Sequence, residues 1–356
     1  MSITRWRRLR WLGVAGLAVG LGGVALATAG PASAAVPDRF GFVLYNGAAV
    51  VPTGTTPPAT SVVPGPPGRY KIVFPGQAAK GGVVHVTAIN PKPHWCQTDK
   101  FGPSGTDEIV FISCFVPGGV RDKSAFSLIF SSSTGPLAGA GRYGYVDSQP
   151  SGAIVSQYNS AGLANGVSHT AVGQWLVKLP GLGTPGPRDG SLQATGLNPN
   201  VGARCKIANW ASSTSAQLVK VWCFNSAGAF FDTRFHLTYQ YKRSLYGAAL
   251  PPKHFGYLWN QPPVGGPSTN FNSVLGPGAN SLAPAGTGLS LVTFKGLAAT
   301  PDDVQVTAFG GKSEFCSLNN AWVRSGGTVI ERDVACFTNA GTPVNTGFFI
   351  SYSSRV

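Results

Sequence analysis

Three stretches of this chain follow one pattern: "FISCFVPGG" from Phe111, "VWCFNSAG" from Val221 and "DVACFTNAG" from Asp333. Each carries a Cys-Phe pair with a glycine five residues past the cysteine. Cys114, Cys223 and Cys336 lie 109 and 113 residues apart, and twelve residues after each comes Phe126, Phe235 or Phe348. Self-similarity at a fixed period makes one supersecondary unit the building block, so the fold must contain three like parts.

The rest of the repeat is legible around these anchors. "GRYKIVFPG", "GQWLVKLPG" and "GLSLVTFKG" match one another, as do "VVHVTAI", "GSLQATGL" and "DVQVTAF", and each copy opens on "FGFVLYN", "YGYVDSQ" or "FGYLWNQ". These segments alternate with the period of two expected of strands. Tyr70, Ile72 and Phe74 share one face, as do Trp175, Val177 and Leu179, and Val292 and Phe294, with Ser290 breaking the rule. In "VVHVTAI", Val84, Val86 and Ala88 point inward, and His85, which matches Gln193 and Gln305, is expected on the exposed side. Gly or Pro interrupts nearly every window that could be helical. The expected fold class is all-β: three tandem antiparallel β-sandwich modules of about six short strands each, with a single closed assembly of all three left open. The module boundaries are 35–136, 137–248 and 249–356, joined by short junctions, so neighbours are expected to touch.

Residues 1–34 read as a cleaved signal peptide. Arg5, Arg7, Arg8 and Arg10 precede an apolar run, and Ala32 and Ala34 sit where an A-x-A exit requires them. An uncleaved anchor is the competing reading, and the export route stays open. Loss of the four leader arginines takes the formal net charge from +14 to +10. That charge is spread thinly, whereas nucleic-acid binders concentrate theirs on a face, so no nucleic-acid partner is expected. After signal cleavage no membrane partner is expected either. Attraction to anionic cell-wall polymers or polysaccharides fits a mildly cationic extracellular surface.

All six cysteines follow the leader, two per copy. Fifteen pairings are possible in principle, but only Cys96 with Cys114, Cys205 with Cys223 and Cys316 with Cys336 make every copy the same unit. An oxidising compartment lets such bridges persist. Each closes a loop of about 20 residues and stabilises by roughly 3 kcal/mol in the chain-entropy model. Zinc is not expected, because no cysteine has a second within four residues. His94 precedes Cys96 by two residues, but Ala203 and Glu314 stand at the equivalent places.

The chain resembles tandem β-modules in secreted proteins of actinobacteria and related soil bacteria. The aromatic-Gly-aromatic strand, "GRYKIVFPG", "VVHVTAI" and the Cys-Phe pair carry the resemblance, over residues 38–354. Copy two departs from it with "LQATG", and copy three with Lys295 and Asn345. The resemblance implies export and repetition; that family has no established activity, so no function comes with it.

Few residues of the chain point to chemistry. None of His85, His94, His169, His236 and His254 recurs between copies. Asp122 and Asp232 recur, with Asn345 in the third copy, at positions where Asp caps a turn. Asp302–Asp303 and Asp107–Glu108 are placed in loops before strands and are weak candidates for calcium. No catalytic residue, metal or cofactor is assigned. Aromatics are the remaining candidates. Trp210 and Trp322 are expected to pack over the disulfides, while Trp222, beside Cys223 on the opposite face, and Trp259 are the candidate binding residues. The expected function is a secreted, non-catalytic binding or matrix component for a glycan, a cell-wall polymer or an exported protein. A secreted hydrolase with an ungrouped carboxylate pair and a secreted protease inhibitor are the alternatives, and the oligomeric state is left open.

Overall fold

The computed structural model describes residues 39–356 apart from 57–59, 138, 185–187, 250–253 and 262–266. The signal-peptide reading, residues 1–34, lies outside the described residues. Copy one forms β1 (Arg39–Tyr45), β2 (Val50–Val51), β3 (Ser61–Pro64), β4 (Arg69–Phe74), β5 (Val83–Ile89), β6 (Trp95–Ser104), β7 (Asp107–Phe115) and β8 (Ala125–Ser132). Copy two forms β9 (Arg142–Ser148), β10 (Ile154–Asn159), β11 (Gly166–Ala171), β12 (Gln174–Pro180), β13 (Ser191–Leu197), β14 (Ala203–Ser212), β15 (Ala216–Asn225) and β16 (Arg234–Tyr241). Copy three forms β17 (Phe255–Asn260), β18 (Pro267–Asn272), β19 (Gly276–Pro277), β20 (Ser281–Gly286), β21 (Leu289–Phe294), β22 (Asp302–Phe309), β23 (Phe315–Leu318), β24 (Val323–Ser325), β25 (Thr328–Phe337) and β26 (Gly347–Ser354). A 3-10 turn at Pro52–Gly54 is the only helical element among the described residues.

Each copy is a two-layer antiparallel sandwich. In copy one, β2-β1-β8-β5 form one layer and β6-β7-β4-β3 the other. The inward residues are the ones the alternation marks: Tyr70, Ile72 and Phe74 pack with Val84, Val86, Ala88, Phe126, Leu128 and Phe130, all in copy one. Disulfides Cys96–Cys114, Cys205–Cys223 and Cys316–Cys336 each tie two neighbouring strands of one copy.

The sheets, however, do not stop at copy boundaries. The layer ending in β5 runs on into β23 of copy three, the layer beginning at β6 runs on from β13 of copy two, and β14 of copy two abuts β22 of copy three. All three seams are short parallel pairings with one backbone bond repeated: Asn90 N to Leu318 O at 2.8 Å, Asn198 N to Thr98 O at 2.9 Å and Gly310 N to Ile207 O at 2.9 Å. Copy one thus pairs with two, two with three and three with one, closing a ring. Three sheets of eight or nine strands result, each shared by two copies.

The repeated glycines have a local cause. Gly68, Gly173 and Gly288 hold φ of +72°, +69° and +73°, and their carbonyls accept the amides of Cys114, Cys223 and Cys336 at 2.7 to 2.8 Å. A Cβ at any of the three would fall 2.6 to 2.7 Å from that cysteine's carbonyl oxygen. Only glycine tolerates both constraints.

The ring also explains a departure from expectation. Strands β5, β13 and β22 touch one another at the centre and are buried along their whole length. His85, Gln193 and Gln305 are therefore not on a solvent face: they are 2 %, 2 % and 0 % exposed. Period-two alternation separates two faces, but it does not say that either meets water. The inner faces are polar and bonded between copies. Thr87 Oγ1 donates to Gln305 Oε1 at 2.8 Å, Gln193 Nε2 donates to the Gln305 carbonyl at 3.2 Å, and the His85 ring nitrogens lie 3.0 and 2.8 Å from the hydroxyls of Thr195 and Thr238. His236 is fully buried as well, with Nδ1 at the Val84 backbone.

Two outcomes are expected. The second copy alone, residues 137–248, exposes the seam strands β13 and β14 and should self-associate or stay unfolded; a monomeric fragment that melts cooperatively would refute the dependence on neighbours. Burial holds the His85 imidazole well below its usual 6.5, helped by nearby His236. The folded value is below the unfolded one, so the unfolded chain binds more protons as pH falls below 6.5, and stability drops in that direction. His85→Gln, which copies the residue of the other two modules, should lose less stability than the parent between pH 7 and pH 5, by at most about 2 kcal/mol. Thermal unfolding at the two pH values measures this, and equal losses would reject it.

Candidate functional site

An open cleft lies on the outer face of β4, β6 and β7. In β4 the residues between the core positions point outward: Arg69 is exposed and Lys71 half-buried. In β7 the outward residue is Phe111, which the register sets opposite Lys71 on one side and Lys100 on the other. A β-bulge between Thr98 and Lys100 makes Asp99 the extra residue of β6. Lys100 Nζ lies 4.7 Å from the centre of the Phe111 ring. The Pro64-Gly65-Pro66 turn and Pro199 of copy two complete a cleft of about 450 Å³.

Its electrostatics are one-sided. Three cations, Arg69, Lys71 and Lys100, face one carboxylate, Asp99, which is 8 % exposed and accepts the Ser113 hydroxyl at 2.6 Å. Burial raises the Asp99 carboxyl, offset in part by Ser113 and by the charges of Arg121 and Arg69. An open, cationic sheet face with a half-buried aromatic suits an acidic polymer whose sugar rings can stack.

The corresponding face of copy two holds Trp222. Its register partner Gln174 stands where Arg69 stands in copy one, so Trp222 occupies the place of Ser113. The indole is half-buried, meets the Phe230 ring edge-on at 5.2 Å, and Phe230 stacks on Phe224 at 4.9 Å. Gly311 of copy three lies against it, where a Cβ would come within 3.4 Å of the ring. Phe230 remains 38 % exposed, so this is a small aromatic patch. Trp259, the other candidate binding residue, is 1 % exposed and packs on Phe349, Phe309 and Trp210 at 4.9 to 5.5 Å. It faces the junction of copies two and three, which no single-copy strand pattern can reveal. Trp210 turns to the same junction, and Trp322 donates to Asp302 at 3.0 Å.

The acids are dispersed into structural roles. Asp232 and Asn345 accept the amides of Gly173 and Gly288 at 2.6 and 2.7 Å, so the repeated position is a turn cap. Asp122 differs: it meets His94 at 3.1 Å and the Lys123 amide at 2.8 Å. Asp302–Asp303 and Asp107–Glu108 lie within strands rather than in loops. Asp302 pairs with Arg324 and Asp303 accepts from Ser127 at 2.6 Å. Buried Asp147 is held by Arg234. Among the described residues, no three His, Cys, Asp or Glu side chains gather as a metal site.

Residues that strand-by-strand reading passes over are Arg69, Lys71, Lys100 and Phe111. The only sequence signal for them is that the outward positions of a core strand are basic. Their convergence needs three strands from two hairpins. Comparison with protein-family models, curated proteins and solved structures finds no match to this chain.

Glu108 gives a test of the copy-one sandwich next to the cleft. It is fully buried, one oxygen accepts the Ala79 amide at 3.2 Å and the other has no partner. Burial raises the carboxyl from 4.5 to about 7, the Ala79 bond opposing. The folded state therefore holds this proton more tightly between those values, and its contribution to stability declines as pH rises through that window. In copy two Gln217 occupies the same register, bonded to Trp210, Leu182 and Tyr239. Glu108→Gln should stabilise at pH 8 by roughly 1 to 3 kcal/mol and by little at pH 5. Chemical denaturation at both pH values reads this, and a gain that does not depend on pH would contradict it.

Proposed function

We propose that this is an exported extracellular binding protein that holds an acidic glycan or cell-wall polymer in the copy-one cleft. Arg69, Lys71 and Lys100 around Phe111 carry the reading. They supply long-range attraction to a polyanion and a ring face against which a sugar can stack. A single buried carboxylate lines the cleft, whereas two-carboxylate glycoside hydrolysis requires a facing pair. The Trp222–Phe230 patch on the equivalent face of copy two is a second, weaker contact for the same polymer. Export is supported by the basic, apolar and small-residue order of residues 1–34, and by three disulfides, which persist in oxidising compartments. Among the described residues, no helix is long and apolar enough to cross a membrane.

Retention on insoluble acidic polysaccharide and on isolated cell walls tests the proposal. Binding should weaken steeply between low and physiological salt. Lys71→Glu with Lys100→Glu should weaken it about tenfold or more, and Trp222→Ala by about threefold. Retention that survives the double charge reversal would remove the cleft from the proposal. Turnover of a glycoside, ester or peptide substrate, lost on Asp99→Asn, would favour a hydrolase instead.

A further inference from the structure

We propose that the cavity where the three copies meet binds one small oxyanion, held by Arg204 and Lys206. In each copy one residue precedes the first cysteine: Trp95, Arg204 and Phe315. Closure of the ring brings these three together. The Arg204 guanidinium carbon lies 4.3 Å from the centre of the Trp95 ring and 4.7 Å from that of Phe315. Beside them is a partly open pocket of about 50 Å³. A water needs about 10 to 15 Å³ of such space, so this volume accommodates more than a single water and suits an ion of four or five heavy atoms.

The polar atoms around it are out of balance in one direction. Arg204 is 6 % exposed; its Nη2 donates to the Ser313 carbonyl at 3.4 Å and to Asn339 Oδ1, but Nε and Nη1 are buried with no acceptor. The buried Trp95 Nε1 has no acceptor either. Every unsatisfied side-chain atom among the cavity residues is thus a donor, which calls for a ligand that accepts. Charge points the same way. Lys206 Nζ donates to the Lys312 carbonyl at 2.9 Å and to Glu314 at 3.2 Å, so the one carboxylate of the pocket is taken by Lys206 and none pairs with Arg204. Burial lowers the Arg204 guanidinium only to about 10, which leaves it charged at neutral pH and without an anionic partner. An uncompensated buried cation is costly, and a bound anion removes that cost. The repeat itself does not require this charge, since copies one and three place Trp95 with Gln97 and Phe315 with Ser317 at the same positions.

The test is calorimetric melting of the full exported chain in sodium sulfate, phosphate or acetate against sodium chloride at matched ionic strength. A saturable rise in Tm of roughly 3 °C is expected for at least one oxyanion. A preference for acetate identifies a carboxylate ligand, and a preference for sulfate or phosphate a tetrahedral one. Arg204→Met should abolish the saturable component, and Lys206→Met should weaken apparent affinity about tenfold. Crystals soaked in sodium selenate should show one anomalous peak within hydrogen-bond reach of Arg204, a readout that does not depend on whether either variant folds. The absence of that peak at saturating selenate together with no saturable response to acetate, or an oxyanion response in Arg204→Met equal to that of the parent, overturns the proposal. Acidic-polymer retention through Lys71 and Lys100 is independent of this site, so either reading can fail alone.

Discussion

Everything in this structure depends on three strands that have no solvent side. Strands β5, β13 and β22 belong to the cores of their own copies through one face and meet one another through the other. A strand buried on both faces must satisfy every polar group internally, since water cannot replace a missing partner. The chain meets much of that demand with side chains from different copies, as in Thr87 to Gln305 and His85 to Thr195, although one oxygen of Asp303 in β22 has no partner. Such bonds form only when the ring is closed, which makes the three copies interdependent although each has its own sandwich and its own disulfide.

Exact repetition would be a poor solution at that centre. Three identical polar side chains converging on one point compete for the same donors and acceptors. The chain instead uses His85, Gln193 and Gln305 at equivalent places, and Ser127, His236 and Phe349 on the adjoining strands. His236 reaches the Val84 backbone while Ser127 donates to Asp303 across a seam. The same reasoning applies at the end of the ring, where Trp95, Arg204 and Phe315 pack as one cation between two aromatic faces. Divergence among the copies is therefore concentrated where they meet and on their outer sheet faces, while the glycines and cysteines that set the local turns stay fixed.

Much of the fold was legible because its causes are local. The inward faces of β4 and β12 follow from alternation, and Gly68, Gly173 and Gly288 follow from a left-handed turn beside a cysteine. The site was less legible. Lys71, Lys100 and Phe111 are far apart in the chain's local pattern and become neighbours through antiparallel register. Trp222 and Trp259 look alike as strand tryptophans, yet one stays half-exposed beside Phe230 and the other vanishes into an inter-copy junction. His85 misleads for the same reason: its alternation is that of a surface residue.

By itself the sequence determined three sandwich modules, their strand faces, their glycine turns and the even number of cysteines from which one bridge per copy follows. These depend on contacts within one copy, where the repeated spacing constrains geometry directly. Only the tertiary structure decided that the modules share sheets and close into a ring, because that rests on single backbone bonds such as Asn198 N to Thr98 O between residues a hundred positions apart. Ring closure in turn decided which polar residues are buried, which tryptophan is accessible and where Arg204 comes to rest, since burial is a property of what packs against a face and not of the face alone.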